Sequence, residues 1–174
     1  MKKIFALALA LTLSLTALAG CSGQEDNKTP DKTPEELAQL YSDAITQNGG
    51  EMAEYNPPFT QEGVDEDMNT MILESMGLVK EDMTAFAVSG SMMNVKAYGI
   101  AAVMPAEGKE EAVQEGLQSF IDRQKSSFET YLVDQYEVAK SARLETLSDG
   151  TILMVMCEDQ DTVFDSISSA IQGK

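Results

Sequence analysis

Side chains able to do chemistry are numerous in this chain, but the commonest of them is missing: its 174 residues include no histidine. That removes imidazole-activated serine and cysteine nucleophiles, the His-Glu-x-x-His metal helix and most zinc or copper sites. Ser89-Gly90-Ser91 lacks the Gly-x-Ser-x-Gly elbow, no Ser-x-x-Lys occurs, and no Gly-rich phosphate loop precedes a helix. Carboxylates are so abundant that no one pair stands out for acid–base work. Asp65, Asp67 and Asn69 match the first ligand positions of a calcium loop, but Thr70 replaces its glycine and Met76 its bidentate glutamate, so they read as a solvated helix start. Eleven methionines raise the thought of a thioether metal site, Met68, Met71 and Met76 being close together. Their spacing instead places most of them in the core, and Met92-Met93, in a turn, would mark a partner surface if exposed. Arg123, Gln124, Tyr131, Gln135 and Tyr136 cluster around the end of a long helix and are the candidates for a recognition groove. The ordinary alternative is an ion-paired arginine and tyrosines with buried rings and wet hydroxyls. No catalytic or metal-ligating residue is assigned.

One cysteine does carry a specific signal. Lys2 and Lys3 precede the apolar run Ile4 to Leu18, and Leu18-Ala19-Gly20-Cys21 follows, a pattern that resembles the lipobox of bacterial lipoproteins. In a lipobox the thiol becomes a diacylglycerol thioether and the chain is cut just before it, which would make residues 1–20 a signal peptide and Cys21 the lipid attachment site. The apolar run is shorter than a membrane span requires. Two or more acyl chains anchor a protein stably, whereas one does not.

The formal charge is −17, and removal of residues 1–20 takes two lysines and no acid, leaving −19. Such a balance opposes nucleic-acid phosphates and anionic lipid surfaces, and its plain reading is solubility. With Cys21 acylated, Cys157 has no partner for a disulfide, and its place at the end of Ile152-Leu153-Met154-Val155-Met156 reads as a buried core thiol.

The elements that must position these groups follow from pattern. Residues 21–33 read as a flexible tether, of which the last twelve span at most ~40 Å, and residues 34–174 as one domain. Thr33-Pro34-Glu35-Glu36 predicts a capped helix start, continued by Leu37, Leu40, Tyr41, Ala44 and Ile45 and stopped at Gly49-Gly50. Glu51 to Gln61, with Pro57-Pro58, reads as a surface connection or edge segment, and Asp65 to Met76 as a second helix. From Met83 the period becomes two, and Val95 to Met104 pairs with that strand across a short turn. A long helix follows Gly108-Lys109 and breaks at Leu132-Val133-Asp134. A second hairpin turns at Asp149-Gly150, and Asp159 or Asp161 caps a last helix through Val163, Phe164, Ile167, Ala170 and Ile171.

Arg123-Gln124 through Phe128, Tyr131, Asp134-Gln135-Tyr136 and Val138, with the Asp-Gly turn and Ile152-Leu153-Met154-Val155, resemble an uncharacterised family of Gram-positive lipoproteins, domain of unknown function 4358. The resemblance covers roughly residues 80–172, and Val133 stands where that family often has proline. It implies no activity, cofactor or functional residues.

The expected fold is α+β: a four-stranded, mostly antiparallel sheet of two ββα units, with helices on one face and two further helices in front. The expected function is that of a non-enzymatic binding module, lipid-anchored to the outer leaflet of the cell membrane on its extracytoplasmic side. Its partners would be the bilayer, through acylated Cys21, and a protein, peptide or envelope component, with no cofactor and no nucleic acid. The alternative is a carboxylate- or divalent-ion-dependent cell-envelope enzyme.

Overall fold

Thr33 caps its helix as its neighbours dictate in the computed structural model, which describes residues 32–63, 67–93 and 95–174. The Thr33 hydroxyl accepts the Glu36 N–H at 3.2 Å and the Glu36 carboxylate accepts the Thr33 N–H at 2.9 Å, closing the capping box of α1 (Pro34–Asn48). The processing site, Cys21 and the tether up to residue 31 lie outside the described residues, as do Asp65 and Glu66.

Among the described residues the sheet has five strands, all antiparallel, in the order β1-β2-β3-β5-β4. They are β1 (Phe59–Thr60), β2 (Met83–Gly90), β3 (Gly99–Pro105), β4 (Arg143–Thr146) and β5 (Ile152–Met156). This corrects the four-stranded expectation. The extra strand is the two-residue β1, which pairs Phe59 with Val88 and Thr60 with Ala87. Two residues after Pro57-Pro58 are too few to show a period of two, so only the word edge was within reach of pattern reading.

The helices also cover both faces instead of one. Phe86, Val88, Ile152, Met154 and Met156 pack under α3 (Asp67–Ser75), α4 (Glu110–Phe128) and α5 (Val133–Lys140). Ala85, Ala87, Leu153 and Val155 pack under α1, α2 (Gly50–Tyr55) and α6 (Gln160–Gln172). The cause is visible in β5, whose five residues are all buried: a continuous apolar strand needs cover on both sides. The two ββα halves are therefore not equivalent, since α4 and α6 lie on opposite faces.

Both edges are blunted, β1 by its length and β4 by charge. Arg143 on β4 binds Glu145 at 2.7 Å and Asp165 of α6 at 2.8 Å, with its guanidinium 3.8 Å from the centre of the Phe164 ring. The long helix ends at Phe128 and α5 begins at Val133, so the break takes in residues 129–132 and meets the expected Leu132-Val133-Asp134 at Leu132. Between α3 and β2 the backbone turns at Gly77, whose φ of +71° suits glycine, and there it lies directly against Gly116 of α4.

Methionine is less of a core residue than expected. Met76, Met83, Met154 and Met156 are buried, but Met68, Met71, Met92 and Met93 are exposed. Among the described residues no helix is long and apolar enough to cross a membrane.

Candidate functional site

The β2–β3 turn sets one end of the sheet. Gly90 and Gly99 face each other in register, and a Cβ on either would fall 2.9 Å from the Met76 methyl carbon. The missing side chains let α3 press onto this end. On either side of residue 94, Met92, Met93 and Val95 are exposed before Ala97 and Tyr98 return to the core. The expected short turn is thus a longer excursion, because Val95 to Tyr98 does not pair.

Two buried polar groups hold the returning limb. The Gln135 side-chain carbonyl accepts the Ala97 N–H at 2.9 Å, and its amide nitrogen donates to Asp134 at 3.0 Å. Ser89 Oγ donates to the Asn56 carbonyl at 2.5 Å, so its other contact, the Tyr98 hydroxyl at 2.5 Å, must be donated by the tyrosine. That relay ties the end of α2 to β2 and to Tyr98, the residue just before β3. Gln135→Met should therefore cost about 2 kcal/mol, because a buried Ala97 N–H loses its acceptor. Urea unfolding reads the loss, and faster amide exchange at Ala97 and Tyr98 would place it.

Between the α1–α2 junction, this limb and the start of α6 lies a cleft of about 380 Å³. Glu51 and Tyr55, four residues apart on α2 and so on one face, form one wall. Lys96, Ala97 and Gln135 form another, and Cys157, Glu158, Asp159 and Val163 the third. Asp159 stands at the N-cap position of α6, one of the two places expected, but with a left-handed φ of 59° its side chain makes no cap bond to the helix. Asp tolerates this conformation, and it turns the chain from β5 into α6 within a few residues.

The electrostatics of the cleft are lopsided. Lys96 is bound to Glu158 at 2.8 Å, and that hydrogen bond, with the charges of Glu158, Asp134 and Glu51, raises its pKa. Glu51 and Asp159 have no ion-pair partner among the described residues. Asp134 is held below the usual carboxylate range, chiefly by the hydrogen bond from Gln135. Cys157 is free, buried, and pushed up to about 12 by burial and then by Asp159 and Glu158. A thiol so placed stays protonated at neutral pH and is a poor nucleophile. No group of three or more His, Cys, Asp or Glu among the described residues is placed to hold a metal ion.

The five sequence candidates do not share one groove. Arg123 donates to the Ser75 carbonyl at 2.6 Å, clamping the end of α3 to α4. Gln124 and Tyr131 line a hollow beside Phe128, with the Tyr131 ring 6.0 Å from that of Phe128. Tyr136 lines another with Asp122, Lys125 and Glu129, its ring 5.8 Å from the Lys140 ammonium. Gln135 alone reaches the main cleft. Glu51, Tyr55, Lys96, Glu158 and Asp159 were missed, since each sits outside any periodic pattern. The one sequence signal for this end was Met92-Met93, whose exposures are 42% and 60%.

The profile of a domain of unknown function, DUF4358, matches residues 60–157. The chain belongs to this family. The match spans β1 to the end of β5 and so takes in Lys96, Gln135 and Cys157, while Glu51, Tyr55 and Asp159 stand outside it. No curated protein and no solved structure matches the chain.

Proposed function

We propose that this DUF4358 protein is a lipid-anchored extracytoplasmic lipoprotein whose folded part is a non-enzymatic binding module, with the cleft end of the sheet as its partner surface. One observation carries the reading: Tyr55, 74% exposed, lines the cleft, and Met92, Met93 and Val95, 42%, 60% and 61% exposed, stand on the β2–β3 connection that supplies its Lys96. Single exposed apolar residues are ordinary, but several at one end of a sheet suit a contact surface.

The position of that surface fits an anchor at Cys21. α1 begins next to Thr33 and ends at the cleft, where Gly49 and Gly50 line the wall. Its fifteen residues separate the tether attachment from the cleft by about 22 Å at ~1.5 Å per residue. A tether entering at the far end of α1 leaves the cleft clear of the attachment point. Cys157, held protonated, gives little support to thiol chemistry in the cleft, and Glu158 is engaged by Lys96.

The test is the double variant Met93→Ser, Val95→Ser in intact cells. Both residues are exposed, so its stability should stay within about 0.5 kcal/mol of the parent. Chemical crosslinking of membranes should give a discrete adduct with the parent chain and lose it with the variant. An unchanged adduct pattern would refute the reading.

A further inference from the structure

Resting on that reading, we propose that the cleft takes a cationic segment of a polypeptide, a lysine or arginine side chain entering between Glu51 and Asp159 while a neighbouring apolar side chain packs on the exposed rim.

Charge complementarity decides the sign. Among the described residues four charged side chains line the cleft: Glu51, Glu158, Asp159 and Lys96. Lys96 and Glu158 pair at 2.8 Å, which leaves Glu51 and Asp159 without an ion-pair partner among the described residues, and Lys96, which feels Glu51 and Asp134 as well as Glu158, is the one cation lining the cleft against three carboxylates. The start of α6 is a weaker opposing influence, equivalent to about half a positive charge.

Shape and ring chemistry narrow the ligand further. Tyr55 lines the cleft with 74% of its surface exposed, one turn from Glu51. An aromatic face beside a carboxylate attracts ammonium and guanidinium groups by cation–π and Coulomb terms together. The volume of about 380 Å³ admits a side chain or two, not a folded domain. The apolar residues Met92, Met93 and Val95 precede Lys96 along the β2–β3 connection, so an occupant that continues beyond the cleft meets apolar surface. A polypeptide with alternating basic and apolar side chains meets both requirements.

Fluorescence anisotropy on the full lipoprotein in phosphatidylcholine nanodiscs, with empty discs as the blank, tests this. The probes are three labelled nonapeptides: lysine alternating with phenylalanine, the same peptide with glutamate for lysine, and the same with serine for phenylalanine. Only the first should bind well. Glu51→Gln combined with Asp159→Asn should weaken it tenfold or more, as should Tyr55→Ser, whereas Lys96→Gln should strengthen it severalfold by freeing Glu158. Glu110→Gln with Glu111→Gln, the same charge loss at the exposed start of α4, should leave it unchanged. The proposal falls if the glutamate peptide binds as well, if Lys96→Gln weakens binding, if the α4 pair matters as much as the cleft pair, or if no peptide binds. An adduct that still depends on Met93 and Val95 would, in any of those cases, leave the binding-module reading standing and remove only the cationic ligand.

Discussion

Gly116→Val should destabilise the folded chain by about 3 kcal/mol or more, at the upper end of what overpacking costs. A Cβ on Gly116 would lie inside contact distance of the Gly77 carbonyl oxygen, and one on Gly77 would lie 2.8 Å from the Gly116 carbonyl oxygen. Neither neighbour is a side chain that can swing away. Gly77 cannot retreat easily, because its N–H donates to the Glu74 carbonyl and Leu78 N–H to that of Leu73, both at 3.0 Å, closing the end of α3. Relief would lift α3 off α4 and open the packing of Met76 against Gly90 and Gly99, so the effect should reach the candidate cleft. Denaturant unfolding checks the magnitude, and a loss under about 1 kcal/mol would mean that the two helices have slack.

Alkali should unfold the protein for a reason unrelated to its net charge. Burial pushes Tyr41 and Tyr98 up to about 12, with hydrogen bonds from or to Thr151 and Ser89 lowering them only in part, and pushes Cys157 up to about 12 as well. Each group stays protonated in the folded chain while the unfolded chain sheds its proton, near pH 9 for the thiol and pH 10 for the phenols. The unfolded state then binds fewer protons, so stability is intact below pH 9 and falls as pH rises toward 12. At about 1.4 kcal/mol per tenfold difference, the three groups together should remove roughly 5 kcal/mol by pH 11. That is comparable with the whole stability of a small domain. Urea midpoints measured from pH 7 to 11 check the slope, and Cys157→Ala should flatten it first above pH 9. A flat profile to pH 11 would contradict the burial of these groups.

The sequence made some elements plain and concealed others for physical reasons. α1 was legible because its capping box, N1 proline and apolar stripe agree, and β5 because five apolar residues in a row have few other uses. The same run implies cover on both faces, because a strand apolar at every position has no side to show to water. β1 was invisible because its two residues are defined by their partner, β2, and not by any pattern of their own. The site was hidden for a related reason. Glu51 and Tyr55 lie on α2, only six residues long, Lys96 on a loop, and Glu158 and Asp159 between elements, so it is the topology that brings them together. Gln135 was singled out as polar near a helix end, but what distinguishes it is a bond to an amide thirty-eight residues away.

The central claim is that the end of the sheet around residues 91–98 is where this DUF4358 protein meets its partner. Site-specific photo-crosslinking in whole cells tests it most directly, with a benzophenone amino acid placed in turn at Tyr55, Met93, Val95, Glu111 and Gln118. Tyr55, Met93 and Val95 should yield one common adduct, and the two positions on the exposed side of α4 should yield none. Adducts from Glu111 or Gln118 alone, or from none of the five, would contradict the account.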